Sequence, residues 1–311
     1  MKKLSISSYD NFNVNSKQMI TNIKCHTKSI SYLYVLHDGR LALGSINEGI
    51  IIYNKMIFKP ELIIKNYDNK GLLYIVELSS NILASSWFFE IIFFKIEKNN
   101  YEKIQTLKWH SSNVYKILEL KNKNLISCSD DYSIIFYKKG NNNNIIYRKY
   151  YKVKTGQVYS IIQTKENEIC YFEFNYKSSF LCFYDLNNRK IKKTIWGLSD
   201  GVSNSTFNMI TKNLLIFGGK NEIYIIDINK YKIVKKIDSP HSNYNVGFCM
   251  INEKMFLTGD YLGTIRQWII EGGNIRLISK KENAHDSKIL TLVKVRKRNL
   301  ASCSYESIKI W

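Results

Sequence analysis

The chain has 311 residues, with 46 Lys and Arg against 26 Asp and Glu and a formal net charge of +20. No apolar run approaches the roughly eighteen residues that a membrane-spanning helix needs. Residues 1–8, MKKLSISS, lack the apolar core of a secretory leader. The six cysteines (Cys25, Cys128, Cys170, Cys182, Cys249, Cys303) form no C-x-x-C pair. That pattern predicts free buried thiols in a reducing compartment, the cytoplasm or the nucleus, with neither disulfide nor zinc.

In chain order, residues 1–16 read as a polar tail, either lying along the ring or a remnant of a longer architecture, and residues 17–311 as a single domain without a linker. Residues 20–26, ITNIKCH, match residues 104–110, IQTLKWH, so a strand leading into a histidine occurs at both places. Seven successive units then close at Tyr53, Phe94, Tyr137, Tyr184, Ile226, Trp268 and Trp311. Their spacing runs from 41 residues (Tyr53 to Phe94) to 47 (Tyr137 to Tyr184). In the third unit the apolar residues gather at 114–118, 125–128 and 134–137, each too short for a helix. β-Branched and aromatic residues dominate these runs, Asn, Asp and Gly separate them, and the two prolines, Pro60 and Pro240, fall in connecting stretches. A period near forty residues with such runs predicts four-stranded units stacked or closed into a ring.

The third unit, HSSNVYKILELKNKNLISCSDDYSIIFY from His110 to Tyr137, carries the clearest pattern. His110 precedes the first strand, Ser127 lies in the second, Asp131 in the next turn, and Tyr137 ends the third. With these residues the chain resembles the WD40-repeat β-propellers over residues 20 to 311. The resemblance implies an all-β, seven-bladed propeller in which the His-Ser-Asp-aromatic set is a buried hydrogen-bond brace. Blade seven keeps His285, Ser302 and Trp311 but is one residue short, which makes Glu306 a poor substitute for the Asp. Blade six has His241 and Trp268, with Leu262 at the Asp position, and blade one has His26 and Tyr53. Blades two, four and five are degenerate, with Tyr184-Asp185 and Ile226-Asp227 echoing Trp-Asp, so six or eight blades are the alternatives to seven. The last unit ends at its third strand, Trp311, so residues 17–25 are predicted to supply the missing fourth strand and close the ring.

Catalysis needs a convergent set of nucleophile, base and orienting group, or metal ligands. Four of the five histidines (His26, His110, His241, His285) occupy the repeat position, and His37 beside Asp38-Gly39-Arg40 has no partner at suggestive spacing. His110-Ser127-Asp131 names a triad, but its recurrence argues a brace. No phosphate-loop, dinucleotide, zinc-protease or nucleophile-elbow motif occurs. The expectation is a non-enzyme with no cofactor and no metal.

Partner binding is then the function to place. In a propeller, the loop before each blade and the turn between its second and third strands open on one face. Flanking the first strands on that face are Ser29 and Ser31, Gly71 and Leu73, Asn113 and Tyr115, Gln157 and Tyr159, Val202 and Asn204, and Lys288 and Leu290. The turns contribute Trp87, Phe88, Asp130, Tyr132, Lys220, Asn221, Tyr261 and Tyr305. Trp87, Phe88, Tyr115, Tyr132 and Tyr159 concentrate on blades two to four, as interface hot spots do. The alternative for Trp87 and Phe88 is that they fold inward over their own blade. Blade four also carries extra residues at 172–179, next to Tyr159.

The leading expectation is therefore a scaffold that docks proteins or peptides on this upper face. Two further readings stand beside it: a propeller that binds a polyanion (RNA or an anionic membrane), and a substrate receptor for a ubiquitin ligase. Lys, Asn, Ile and Tyr are inflated together, so codon bias accounts for the basicity as well as selection does. The lysines fall in many turns, and the densest basic patch is residues 295–298, VRKR. The paired-Arg motif of phosphoinositide-binding propellers is missing. Trp268 is followed by Ile269-Ile270-Glu271, unlike the W-D-x-R of many ligase receptors.

Overall fold

The computed structural model describes residues 13–24, 30–66, 71–142, 145–175, 178–198, 207–219, 222–238, 245–271, 274–295 and 299–311. Each short run rich in β-branched and aromatic residues forms a strand, and tight turns fold four of them into an antiparallel meander. Strand β1 is Thr21–Lys24. Blade one comprises β2 (Ile30–Val35), β3 (Leu41–Ser45), β4 (Gly49–Tyr53) and β5 (Pro60–Lys65). Blade two comprises β6 (Leu72–Glu77), β7 (Ile82–Trp87), β8 (Glu90–Ile96) and β9 (Tyr101–Leu107). Blade three comprises β10 (Val114–Glu119), β11 (Leu125–Ser129), β12 (Ser133–Asn142) and β13 (Ile145–Lys154). Blade four comprises β14 (Gln157–Lys165), β15 (Glu168–Asn175), β16 (Ser178–Asp185) and β17 (Lys190–Ile195). Blade five comprises β18 (Asn208–Met209), β19 (Leu214–Gly219), β20 (Glu222–Asp227) and β21 (Lys232–Asp238). Blade six comprises β22 (Asn245–Asn252), β23 (Met255–Asp260), β24 (Ile265–Glu271) and β25 (Asn274–Lys281). Blade seven comprises β26 (Thr291–Val295), β27 (Asn299–Cys303) and β28 (Ser307–Ile310). Among the described residues no helix is long and apolar enough to cross a membrane.

β1 completes blade seven from the other end of the chain. It pairs antiparallel with β28 in the order β1-β28-β27-β26, with Thr21 opposite Ile310 and Lys24 opposite Ser307. The backbone N–H of Ile20 extends the ladder to the Ile310 carbonyl at 2.7 Å. The closure expected from the repeat pattern is therefore present, and all seven sheets have four strands.

The core lies between blades, which is why the middle strands read as unbroken apolar runs and not as alternation. β3, β4 and β11 are buried at every position, whereas β5 alternates. Leu72 and Leu83 of blade two join Ala42 and Ile52 of blade one in one cluster. Tyr137 and Ile117 of blade three join Phe93 of blade two in the next. The series runs on around the ring to a cluster in which Ile308 and Ala301 of blade seven meet Leu33 and Tyr53 of blade one. The ring closes because each blade's apolar face is covered only by its neighbour.

Residues 13–16, read from the sequence as the end of a polar tail, lie along blade six. Val14 is fully buried between blades six and seven with Ile265 and Trp311. Its N–H donates to Gln267 Oε1 at 2.8 Å, and Ser279 Oγ donates to Asn13 Oδ1 at 2.8 Å. Lys281 Nζ donates to the Lys17 carbonyl at 2.9 Å. One apolar residue in a polar stretch has no periodicity, so its docking left no sequence signal.

Candidate functional site

The His110 constellation forms as the pattern implied. His110 Nε2 is 2.7 Å from Ser127 Oγ, and Nδ1 is 2.9 Å from Asp131 Oδ2. Ser127 Oγ is 3.0 Å from the Tyr137 hydroxyl, and Ser133 Oγ donates to Asp131. Burial alone would raise the Asp131 carboxyl, but hydrogen bonds from His110 and Ser133 override it and hold Asp131 well below the usual carboxylate range. Burial pushes His110 down, outweighing the pull of Asp131, so the ring is neutral. The His110 and Asp131 side chains are each 1% exposed and Ser127 is fully buried. A nucleophile without a surface cannot meet a substrate. This is a brace for the turns of blade three.

The Ser127 position, opposite Ile117 and Ile135, can be followed around the ring by register. Blade seven places Ser302 there, 2.7 Å from His285 Nε2, and accepts a bond from Trp311 Nε1 at 2.7 Å. His285 Nδ1 turns to Ser307 Oγ at 3.2 Å, so Ser307 takes the role for which Glu306 was a poor substitute. Blade six uses Thr258, which accepts from Trp268 Nε1 at 2.8 Å. In blade two the position is Ser85, and Trp87 Nε1 donates to its Oγ at 2.7 Å, standing in for the missing histidine. Trp87 is 3% exposed. Trp87 is thus removed from the upper face where the sequence reading placed it, because the indole is needed inside. Leu43, Tyr171 and Phe217 occupy the position in blades one, four and five. In blade five ring packing replaces the brace, as in the 5.1 Å contact of Phe217 with Phe172.

The two loop sets adjoin on one face. Asp130 N–H donates to the Asn113 carbonyl at 3.1 Å, and Val114 N–H crosses to the Phe88 carbonyl of blade two at 2.7 Å. Ile30 N–H crosses to the Tyr305 carbonyl of blade seven at 3.1 Å. Tyr115 and Tyr159 come together, their ring centroids 4.8 Å apart, and Phe174 from the blade-four extension adds a third ring 6.5 Å from Tyr159. The Tyr115 hydroxyl donates to Asp130 Oδ2 at 2.7 Å, and the Tyr159 hydroxyl to Gln157 Oε1 at 3.1 Å. Burial raises the Asp130 carboxyl, only partly offset by hydrogen bonds from Tyr115 and Asn113. Asn113, Tyr115, Gln157 and Tyr159 are half-buried.

Phe88 opens the turn of blade two and Tyr132 closes the turn of blade three, both in the left-handed region at φ 52° and 59° and both exposed. Gly71 has no side chain because a Cβ would stand 2.7 Å from the Phe88 ring. Tyr261 and Tyr305 are exposed on the same face but belong to blades six and seven, away from the blade two to four arc. Sequence reasoning missed Ile46, Phe89 and Leu262, which are exposed in the corresponding turns. In all five blades whose turn is described, the turn between second and third strands shows an apolar side chain. Repetition of exposure became visible only when register aligned the turns. His26, His241, Ser29, Val202, Asn204, Lys220 and Asn221 lie outside the described residues, as do residues 296–298.

No family model and no curated protein sequence matches the chain. Among solved structures, 1577 chains match. One belongs to the crystal structure of the mitotic checkpoint complex, with a TM-score of 0.75 at 12% identity over 94% of this chain and 94% of that one. The chain has the WD40-type β-propeller fold.

In the WD40 fold the seven first strands line a central channel, and here it opens into a cavity of about 440 Å³. Tyr32, Tyr74, Lys116, Phe248 and Thr291 line it. Burial lowers the Lys116 ammonium to about 8, and its Nζ is 3.3 Å from Ser160 Oγ. Among the described residues no cluster of three or more His, Cys, Asp or Glu could hold a metal ion.

Proposed function

We propose that this WD40 propeller is a non-catalytic interaction module that docks a protein or peptide on its upper face, centred on blades two to four. The observation that carries the reading is the Tyr115, Tyr159 and Phe174 ring cluster with Asp130 beside it, set among described turns that each expose an apolar residue. Rings of this kind give large contact area at low entropic cost, and the polar groups around them fix orientation. WD40 propellers commonly mediate contacts between proteins, and a chain of the same fold sits in the mitotic checkpoint complex. The docking residues are Phe88, Asn113, Tyr115, Asp130, Tyr132, Gln157 and Tyr159, with Tyr261 and Tyr305 as a second patch. Among the described residues five buried cysteines form no disulfide, which suits a reducing compartment, and we place the chain in the cytoplasm or nucleus.

The test is affinity purification of the tagged chain beside a Tyr115→Ala/Tyr159→Ala variant, with thermal melting to show that both are folded. The expected result is selective loss of one or more partners from the variant. Unchanged recovery of every partner by a folded variant would refute the site.

A further inference from the structure

The net charge of +20 is not spread evenly over the fold. Every blade presents an outer strand with an open edge, and lysines that discourage strand addition are useful on all of them. Yet β5, β9 and β1 (PELIIK, YEKIQTL, TNIK) carry one basic residue each, and β5 and β9 offset it with a glutamate. β13 (IIYRKYYKVK) carries four basic residues, and β17 (KIKKTI), β21 (KIVKKID) and β25 (NIRLISKK) carry three each. Asp238 is the one acidic residue on those four strands. Codon bias and edge protection would treat all seven blades alike. Neither selects four consecutive ones.

The basic strands form a continuous wall. Arg189 of blade four donates to the Tyr150 hydroxyl of blade three and lies 4.8 Å and 4.7 Å from the Tyr150 and Tyr151 rings. Between blades four and five, Lys165 and Lys192 stand 5.0 Å and 5.7 Å from the Tyr231 ring. Lys235 of blade five reaches Asn274 of blade six at 2.9 Å. Other cations are partly neutralised: Lys152 by Asp131, Lys192 by Glu168, Lys236 by Glu222, Arg276 by Glu271 and Lys280 by Glu282. Lys149, Lys154, Lys190, Lys193 and Lys232 are exposed and make no ion pair among the described residues. At the blade-three end, Trp109 and Tyr150 are 50% and 45% exposed, with Lys149 and Lys138 over their rings at 4.8 Å and 4.1 Å.

We propose that the outer wall of blades three to five binds single-stranded nucleic acid. The chemistry is a phosphodiester chain laid along the lysines, with bases stacking on Tyr150 and Trp109 at one end. A track around the outside of a ring is convex. A flexible strand follows it across three blades, whereas a flat bilayer meets only part of it. The wall shares no residue with the Tyr115 and Tyr159 docking set, so this site and the docking site are tested independently.

The experiment is fluorescence anisotropy of the full chain with labelled oligouridine and, as a second arm, oligodeoxythymidine. With about five phosphate contacts, affinity should fall on the order of a hundredfold between about 50 and 200 mM salt. Charge reversal at Lys149, Lys190, Lys193 and Lys232 (each →Glu) should weaken binding by tenfold or more and reduce the logarithmic salt slope by about 3. The control reverses the same number of charges on blades one and two, at Lys65, Lys95, Lys98 and Lys103, and should keep affinity within about threefold. Tyr150→Ala should weaken binding about fivefold or more without changing the slope. Stronger binding of one arm identifies RNA or DNA as the ligand. No binding at low salt, equal loss in both charge-reversal variants, or capture by phosphatidylserine-rich vesicles without capture of either oligonucleotide would each overturn the proposal.

Discussion

Removing residues 1–24 should destabilise the whole ring, since among the described residues β1 is the strand that pairs one end of the chain with the other. The four residue pairs of the β1–β28 ladder carry about four backbone hydrogen bonds, each contributing about 1 kcal/mol net. Val14 is fully buried between blades six and seven, and losing its burial costs about 2 kcal/mol. Ile23 packs against the cluster between blades seven and one and adds about 1 kcal/mol. The loss comes to about 7 kcal/mol, a large share of the 5–15 kcal/mol typical of a folded domain. For a chain of this size 1 kcal/mol shifts melting by about 2 °C, so the truncated chain should melt about 15 °C lower, if it folds. β28 would also become an exposed edge prone to pairing with another molecule. Differential scanning calorimetry with light scattering reads both effects. A truncated chain that melts within about 2 °C of the full one, monomeric and cooperative, would refute the closure argument. Val14→Ala alone should lower stability by about 2 kcal/mol.

Three other perturbations probe the interior. Trp87→Phe removes the donor to Ser85 and should cost about 2 kcal/mol in denaturant unfolding while leaving the recovery of upper-face partners unchanged; lost partners with intact stability would put Trp87 back on the surface. Burial, reinforced by Lys309, lowers His285 to about 4 from an ordinary 6.5, so the unfolded chain takes up a proton first as pH falls. Stability should therefore be insensitive to this group above pH 6.5 and drop by up to about 3 kcal/mol on the way to pH 4; His285→Gln should flatten that window, and equal pH profiles for both proteins would contradict the assignment. Lys116, lowered by burial to about 8, disfavours folding wherever it is charged. Lys116→Met should stabilise the chain by about 2 kcal/mol at neutral pH, and the gain should vanish as pH rises from about 8 past 10.5 and the ammonium deprotonates; no gain at neutral pH would show that the channel solvates the charge.

Blade number, strand content, ring closure and the braces of blades three and seven were legible along the chain. Each is written in local periodicity: apolar runs of strand length, and a histidine, serine and aromatic returning at near-constant spacing. The same signal separated His110, Ser127 and Asp131 from catalysis, because a triad that recurs is a scaffold feature. The pairing of Tyr115 with Tyr159 was only half visible. Both occupied equivalent positions in neighbouring blades, but whether the two rings meet depends on how blades three and four pack.

What the tertiary structure alone decided were substitutions made through space. Trp87 looked like an exposed loop aromatic and became a stand-in for a histidine, because Ser85 two residues away needed a donor that blade two lacks. Ser307 displaced Glu306 in blade seven because the hydroxyl, not the neighbouring carboxylate, points at His285. Val14 left the polar tail because a gap between blades six and seven accepted it. The basic residues, scattered in sequence, became a wall only after the fourth strands of blades three to five stood side by side. Local pattern determines which strands form and how often. Which side chains meet is set by register and by the neighbour across the blade interface, and neither is written in any single repeat.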